Sequence, residues 1–157
     1  MSQILIIGYG NPMRADDGLG WVVAEHLAQT FALNTNITIR TAHQLTPELA
    51  DDLAQVDVVI FIDVSIDLAP GEFLATPVDP DTLESRPLTH HFSPTGLLAL
   101  TKTVYGRAPL AHMLSIGAGS LEFGETLSEP VQAALPKLYS HVHWLVDPHQ
   151  SSSVPPV

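Results

Sequence analysis

Runs and periods of hydrophobic residues along the chain predict alternating strands and helices. The apolar run at residues 3–7 ends at Gly8 and is typical of a strand buried on both faces. Apolar residues at helical spacing follow from Leu19 to Phe31. Further strands are predicted at residues 36–40, 56–65, 71–75 and 111–119, and further helices at 46–54, 93–106 and 129–146. This alternation predicts an α/β fold with three layers, in which a twisted, mainly parallel five-stranded sheet lies between helices.

Cap and breaker residues refine the predicted helices. Thr46 and Pro47 suit the N-cap and first position of one helix, and Ser93 and Pro94 suit those of the next. Pro136 is expected to kink or split the last helix. We expect one α/β domain over residues 1–147, followed by a tail at 148–157 that is too polar to pack and is disordered.

The charge of the chain narrows the classes of partner. The 157 residues include 17 acidic and 6 basic side chains, and the net charge of −11 repels phosphate backbones, so we expect no nucleic-acid partner. The longest apolar runs are strand-sized, and no export signal is recognised, so we expect a cytoplasmic monomer with no membrane association. Because the chain has no cysteine, any metal site must use oxygen and nitrogen ligands.

The segment GYGNPMRADDGLGW, residues 8–21, carries the first candidate chemistry. Glycines after a first strand are typical of nucleotide-binding loops, but a dinucleotide fingerprint needs a glycine where Met13 stands and an acid near Arg40. The adjacent carboxylates of Asp16 and Asp17 would also repel a pyrophosphate. Nucleotide binding is therefore the less favoured function.

A second interpretation treats the carboxylates as the site itself. Asp17 at the end of strand one and Asp63 at the end of strand three would converge with a histidine of residues 89–94 if these strands are neighbours, as in the flavodoxin-like order. Two carboxylates and an imidazole suit zinc or nickel. The alternative from the residues alone is that Asp16 and Asp17 cap a helix and Asp63 is an ordinary turn residue.

Several motifs, in order, resemble those of the nickel–iron hydrogenase maturation endopeptidases. The first is GYGNPMRADDGLGWVVAEHL, and it is followed by VVIFIDVS around Asp63, PGEF (70–73), THHFSP (89–94) and LSIGAGSLEFGETLS (114–128). The resemblance extends to about Val146. It implies a twisted sheet between helices and an enzyme that removes a short C-terminal extension from the precursor of the hydrogenase large subunit after nickel insertion.

The resemblance also implies a set of functional residues. The metal ligands carry over as Asp17, Asp63 and His91, although His90 is adjacent to His91 and a different alignment would place Thr95 in the same position. The metal is nickel supplied by the precursor, and zinc or cadmium can substitute for it. The assigned catalytic residues are Asp16, Asp17 and Asp63, with Asp16 either a general base or a helix cap, and the assigned substrate-binding residues are Gly10, Asn11, His43 and His90. The alternative function is a nickel-dependent checkpoint protein or chaperone that binds the precursor without cutting it.

Overall fold

The computed structural model describes residues 1–80 and 93–148. Its strands are β1 (Ile4–Tyr9), β2 (Ile37–Ala42), β3 (Val58–Ser65), β4 (Phe73–Val78) and β5 (Leu110–Gly117). Its helices are α1 (Leu19–Thr30), α2 (Leu49–Ala54), α3 (Pro94–Tyr105) and α4 (Glu129–Val146), and a short 3-10 helix, Ala15–Gly18, precedes α1.

The strands form one sheet in the order β2-β1-β3-β5-β4. All neighbouring pairs are parallel except β4 with β5, which is antiparallel. The predicted neighbours β1 and β3 do lie side by side. The direction of β4 follows from its short connection to β3, residues 66–72, because a parallel return needs a crossover of about a dozen residues or more.

Helices cover both faces of the sheet and produce the predicted three layers. Alternate residues of β1 point to opposite faces: Ile4 and Ile6 contact the cluster that includes α1 and α4, whereas Leu5 and Ile7 contact the cluster that includes α2 and α3. The fold class predicted from the hydrophobic pattern is confirmed.

Cap predictions succeed at one helix and fail at another. At α3 the Gly96 N–H donates to the Ser93 side chain at a distance of 3.0 Å, so Ser93 is the N-cap, as predicted. At α2 the helix begins only at Leu49, because the Thr46 side chain hydrogen-bonds Glu48 and a turn precedes the helix. The N-cap predicted at Thr46 and the helix start predicted at Pro47 are therefore wrong.

The last helix runs unbroken from Glu129 to Val146. Pro136 lies inside it on the exposed side, so the predicted split is wrong. Within the described ranges, no helix combines the length and hydropathy that a bilayer crossing requires. From residue 149 onward, the predicted tail lies outside the described residues.

Candidate functional site

A tight turn off β1 creates the first loop, residues 10–18, at the carboxyl edge of the sheet. Gly10 has a φ of 134°, and a Cβ atom there would lie 2.2 Å from the Asp17 carbonyl oxygen. Only glycine combines this backbone conformation with this close approach. Gly10 therefore serves the turn off β1.

Asp17 is half-buried in the first loop and is held by main-chain contacts. Its Oδ2 accepts a hydrogen bond from the Asn11 N–H at 2.8 Å. The Asn11 side chain in turn accepts one from the Met13 N–H at 2.9 Å, which fixes the turn. Gly10 and Asn11, predicted to contact substrate, thus also set the position of the Asp17 carboxylate.

Asp63 lies near the carboxyl end of β3, next to β1. Its Oδ1 accepts a hydrogen bond from the Val64 N–H at 2.8 Å. Burial raises the pKa of Asp63 to about 7; the Val64 hydrogen bond opposes the rise, and the negative charge of Asp17 adds to it. The Asp63 carboxyl group therefore ionises at a much higher pH than an ordinary aspartate.

Tyr9, at the end of β1, lies beside Asp63 and is one residue that the sequence analysis did not single out. Burial, followed by the charge of Asp63, raises the pKa of its phenol well above the usual value. Its hydroxyl donates to the Met113 sulfur at 4.0 Å. Tyr9 is therefore a neutral phenol beside Asp63. The one signal in the sequence that could have indicated this position is that Tyr9 ends the first strand.

The pairing of β1 with β3 brings Asp17 and Asp63 near enough for their charges to repel. A divalent cation would relieve that repulsion, and carboxylate oxygens are suitable ligands for one. In residues 1–80 and 93–148, no three metal-ligating side chains come together. The predicted third ligand, His91, and its neighbour His90 lie outside the described residues.

The Asp16 carboxylate faces residues 119–128 and has a different environment from Asp17. It is fully buried, and its carboxylate accepts hydrogen bonds of 2.7–2.8 Å from the Gly119, Ser120 and Ser128 N–H groups and from the Ser128 hydroxyl. Burial alone would raise the pKa of Asp16, but these hydrogen bonds outweigh it and lower the pKa.

These contacts correct the helix-cap role predicted for Asp16 and bear on its predicted role as a general base. The carboxylate does not cap the adjacent helix, because its partners belong to residues 118–128, the loop before α4. Its acceptor positions are occupied by N–H and O–H donors, so the geometry gives no support to a general base. Gly119 and Ser128 could not be predicted as partners of Asp16, because they are more than a hundred residues away along the chain.

His43 follows β2 at the same edge of the sheet and is exposed. Its ring lies 5.3 Å from that of Trp21, whose Nε1 donates to the Gly10 carbonyl at 2.9 Å. His43 is therefore next to the first loop, where it was predicted to contact substrate. Thr95, the alternative to His91, lies in the first turn of α3.

No known family profile and no curated protein matches the chain. Among solved structures, a hydrogenase 2 maturation peptidase from a Thaumarchaeota archaeon is 25% identical, with a TM-score of 0.68 over 92% of this chain and 97% of that one. The NiFe-hydrogenase maturation protease HycI from Thermococcus kodakarensis is 24% identical, with a TM-score of 0.68 over 87% of each chain. The hydrogenase maturating endopeptidase HybD from E. coli is 24% identical, with a TM-score of 0.67 over 87% of this chain and 89% of that one.

The two 24% identical structures establish the fold, and the archaeal peptidase covers almost the whole of both chains at slightly higher identity. Taken with the ordered motifs of the sequence, the likeness to the archaeal peptidase confirms the resemblance to the nickel–iron hydrogenase maturation endopeptidases and, with it, the prediction of an endopeptidase.

Proposed function

We propose that this protein removes the C-terminal extension from the nickel-loaded precursor of a NiFe-hydrogenase large subunit. The observation that carries the proposal is that Asp17, in the loop after β1, and Asp63, near the end of the adjacent strand β3, lie close together at the carboxyl edge of the sheet. The likeness to maturation peptidases supports the choice of substrate.

In this proposal the two carboxylates bind the nickel that the precursor brings, and zinc or cadmium can take its place. Asn11 holds Asp17 ready through its backbone N–H. His91 completes the set, with His90 and Thr95 as the alternatives. A metal held by these residues would polarise the scissile carbonyl group or lower the pKa of a water molecule.

Asp63 gives the metal interaction a pH dependence. Because its pKa is about 7, the carboxyl group carries a proton in much of the population at neutral pH. A cation must displace that proton to bind. The proposed docking of the loaded precursor is therefore stronger above pH 7 than below it.

The test is to incubate the protein with nickel-loaded and nickel-free precursor and to measure the precursor mass by mass spectrometry. We expect loss of the C-terminal extension from the loaded precursor alone. Asp17→Ala and Asp63→Ala should abolish this processing, because each removes a charge of the site. Asp67→Ala, which changes an exposed turn residue beyond β3, is the matched control and should process normally.

Two results would contradict the proposal. Binding of the loaded precursor without any loss of mass would favour the non-cleaving checkpoint protein. Full processing by either site variant would remove that carboxylate from the mechanism.

A further inference from the structure

An apolar groove runs from the first loop along the side of the sheet, between α1 and β2. Its volume is about 580 Å³, and its walls include Met13, Trp21, Val22, Glu25, Ile39 and Thr41. Pro12 and Gly18 also line it, and each adjoins a residue of the site, Asn11 or Asp17. The groove therefore begins at the first loop, which carries Asp17.

The surface of the groove is unusually apolar for an exposed region. Met13 is 40% exposed and Val22 is 38% exposed, and the half-buried Trp21 lies between the groove and His43. Apolar side chains exposed together next to a site are typical of a binding surface.

One wall of the groove is an open edge of the sheet, because β2 is the first strand in the sheet order. The Ile4 N–H donates to the Asn36 carbonyl, and the Gly10 N–H donates to the Ala42 carbonyl. Even-numbered residues of β2 therefore face β1, and the N–H and C=O groups of Ile39 and Thr41 point outward. Such a row of outward groups can pair with an added strand.

The charge of the groove indicates which kind of peptide would bind there as an added strand. Exposed Glu25 and Glu125 stand along the groove, and none of the residues described as lining it is Lys or Arg. The chain as a whole carries a net charge of −11. A segment with apolar side chains and at least one Lys or Arg complements this surface.

We propose that the peptide segment following the scissile bond binds in this groove as an added strand on β2. The proposal rests on the proposed function, which puts the scissile bond at the carboxyl edge of the sheet. The C-terminal extension leaves that edge past His43 and runs toward Ile37, so it pairs antiparallel to β2. The six residues of β2 offer space for about 20 Å of extended peptide.

The first experiment measures binding of a fluorescein-labelled peptide that has the sequence of the precursor's C-terminal extension, by fluorescence anisotropy. Val22→Arg fills the groove and adds a positive charge, and we expect it to raise the dissociation constant at least about tenfold. Val104→Arg is the matched control, because Val104 is an exposed helical valine, 61% exposed, on α3 at the other face of the sheet. We expect it to bind as the wild type does.

The second experiment tests the added strand directly. Amide hydrogen exchange at Ile39 and Thr41 should slow when the peptide is bound, because their outward N–H groups acquire acceptors. The Thr38 and Arg40 amides, which face β1, serve as internal controls and should change much less. Unchanged exchange at Ile39 and Thr41 in the presence of saturating peptide would overturn strand addition.

The outcomes separate this proposal from the proposed function. If the wild type cleaves the precursor and Val22→Arg binds the peptide as Val104→Arg does, the groove is excluded and the endopeptidase stands. If the precursor is never cleaved but Val22→Arg alone loses the peptide, the groove stands and the endopeptidase is excluded.

Discussion

At the residue scale, adjacent aspartates in the first loop have opposite surroundings. Asp16 is fully buried and accepts hydrogen bonds from residues 119–128, whereas Asp17 is half-buried and accepts one from Asn11. The resemblance selected Asp17 as a metal ligand but left Asp16 between a general base and a helix cap, because the partners of Asp16 lie far along the chain. The distinction assigns Asp16 to structure and leaves Asp17 free to bind a ligand.

The first residue prediction concerns Asp16→Asn. The amide NH₂ must replace one carboxylate oxygen and face N–H donors, so hydrogen bonds to a charged acceptor are lost. Each such bond is worth about 1.5–3 kcal/mol, and we expect the free energy of unfolding to fall by about 3 kcal/mol. Urea denaturation measures this change in the free energy of unfolding. Asp67→Asn, at an exposed turn, should lose less than about 0.5 kcal/mol.

The second residue prediction concerns Asp63 and pH. The folded pKa of about 7 lies above the unfolded value of about 3.9, so the folded state binds the proton more tightly. The protonated Asp63 carboxyl group therefore contributes fully to folding stability below about pH 4, and this contribution is lost as the pH rises through about 7. Asp63→Asn does not ionise and can still accept the Val64 hydrogen bond. Its melting temperature relative to the wild type should therefore increase from pH 4.5 to pH 8.

The measurement is a thermal melt of both proteins in chelator at several pH values. Nickel added at pH 8 should stabilise the wild type more than Asp63→Asn, because a cation favours the ionised carboxylate. A difference in melting temperature that stays constant across the pH range would contradict the raised pKa.

At the element scale, helix ends were harder to predict than helix existence. The pattern of apolar residues was enough to find each described strand and α-helix, because burial against a sheet decides their position, but it did not predict the 3-10 helix Ala15–Gly18. The start of α2 depends on a contact between Thr46 and Glu48, and a side chain that can cap a helix can equally bond elsewhere. Ser93 caps α3 as predicted, because its side chain accepts from Gly96.

The element prediction concerns Pro136 in α4. A proline inside a helix costs about 3 kcal/mol relative to alanine, whereas its restriction of the unfolded chain recovers up to about 1 kcal/mol. Pro136→Ala should therefore raise the free energy of unfolding by roughly 2 kcal/mol. Thermal and urea unfolding test this, with Lys137→Ala at the neighbouring exposed position as the control. A lower free energy of unfolding for Pro136→Ala would contradict this prediction and show that Pro136 does not destabilise the helix.

At the scale of the whole molecule, the parallel core of the sheet made the site predictable. Parallel strands end at the same edge, so the neighbours β1 and β3 bring Asp17 and Asp63 together. The antiparallel β4 was not predicted, although the seven residues between Ser65 and Phe73 are too few for a parallel return. The groove also escaped prediction, because it forms between α1 and β2 rather than within one motif.

The carboxylate of Asp16 also sets an order of events during synthesis. Residues 13–16 bind the loop at 118–128, through Asp16 and through the main chain of Met13, Ala15 and Gly124. More than a hundred residues separate Asp16 from these partners, so all five strands are made before the partners are complete. Until then the charge of Asp16 lacks its native partners, and the first loop lacks contacts that fix its shape. The position of Asp17 in this loop is therefore fixed only after the chain has been made as far as Ser128.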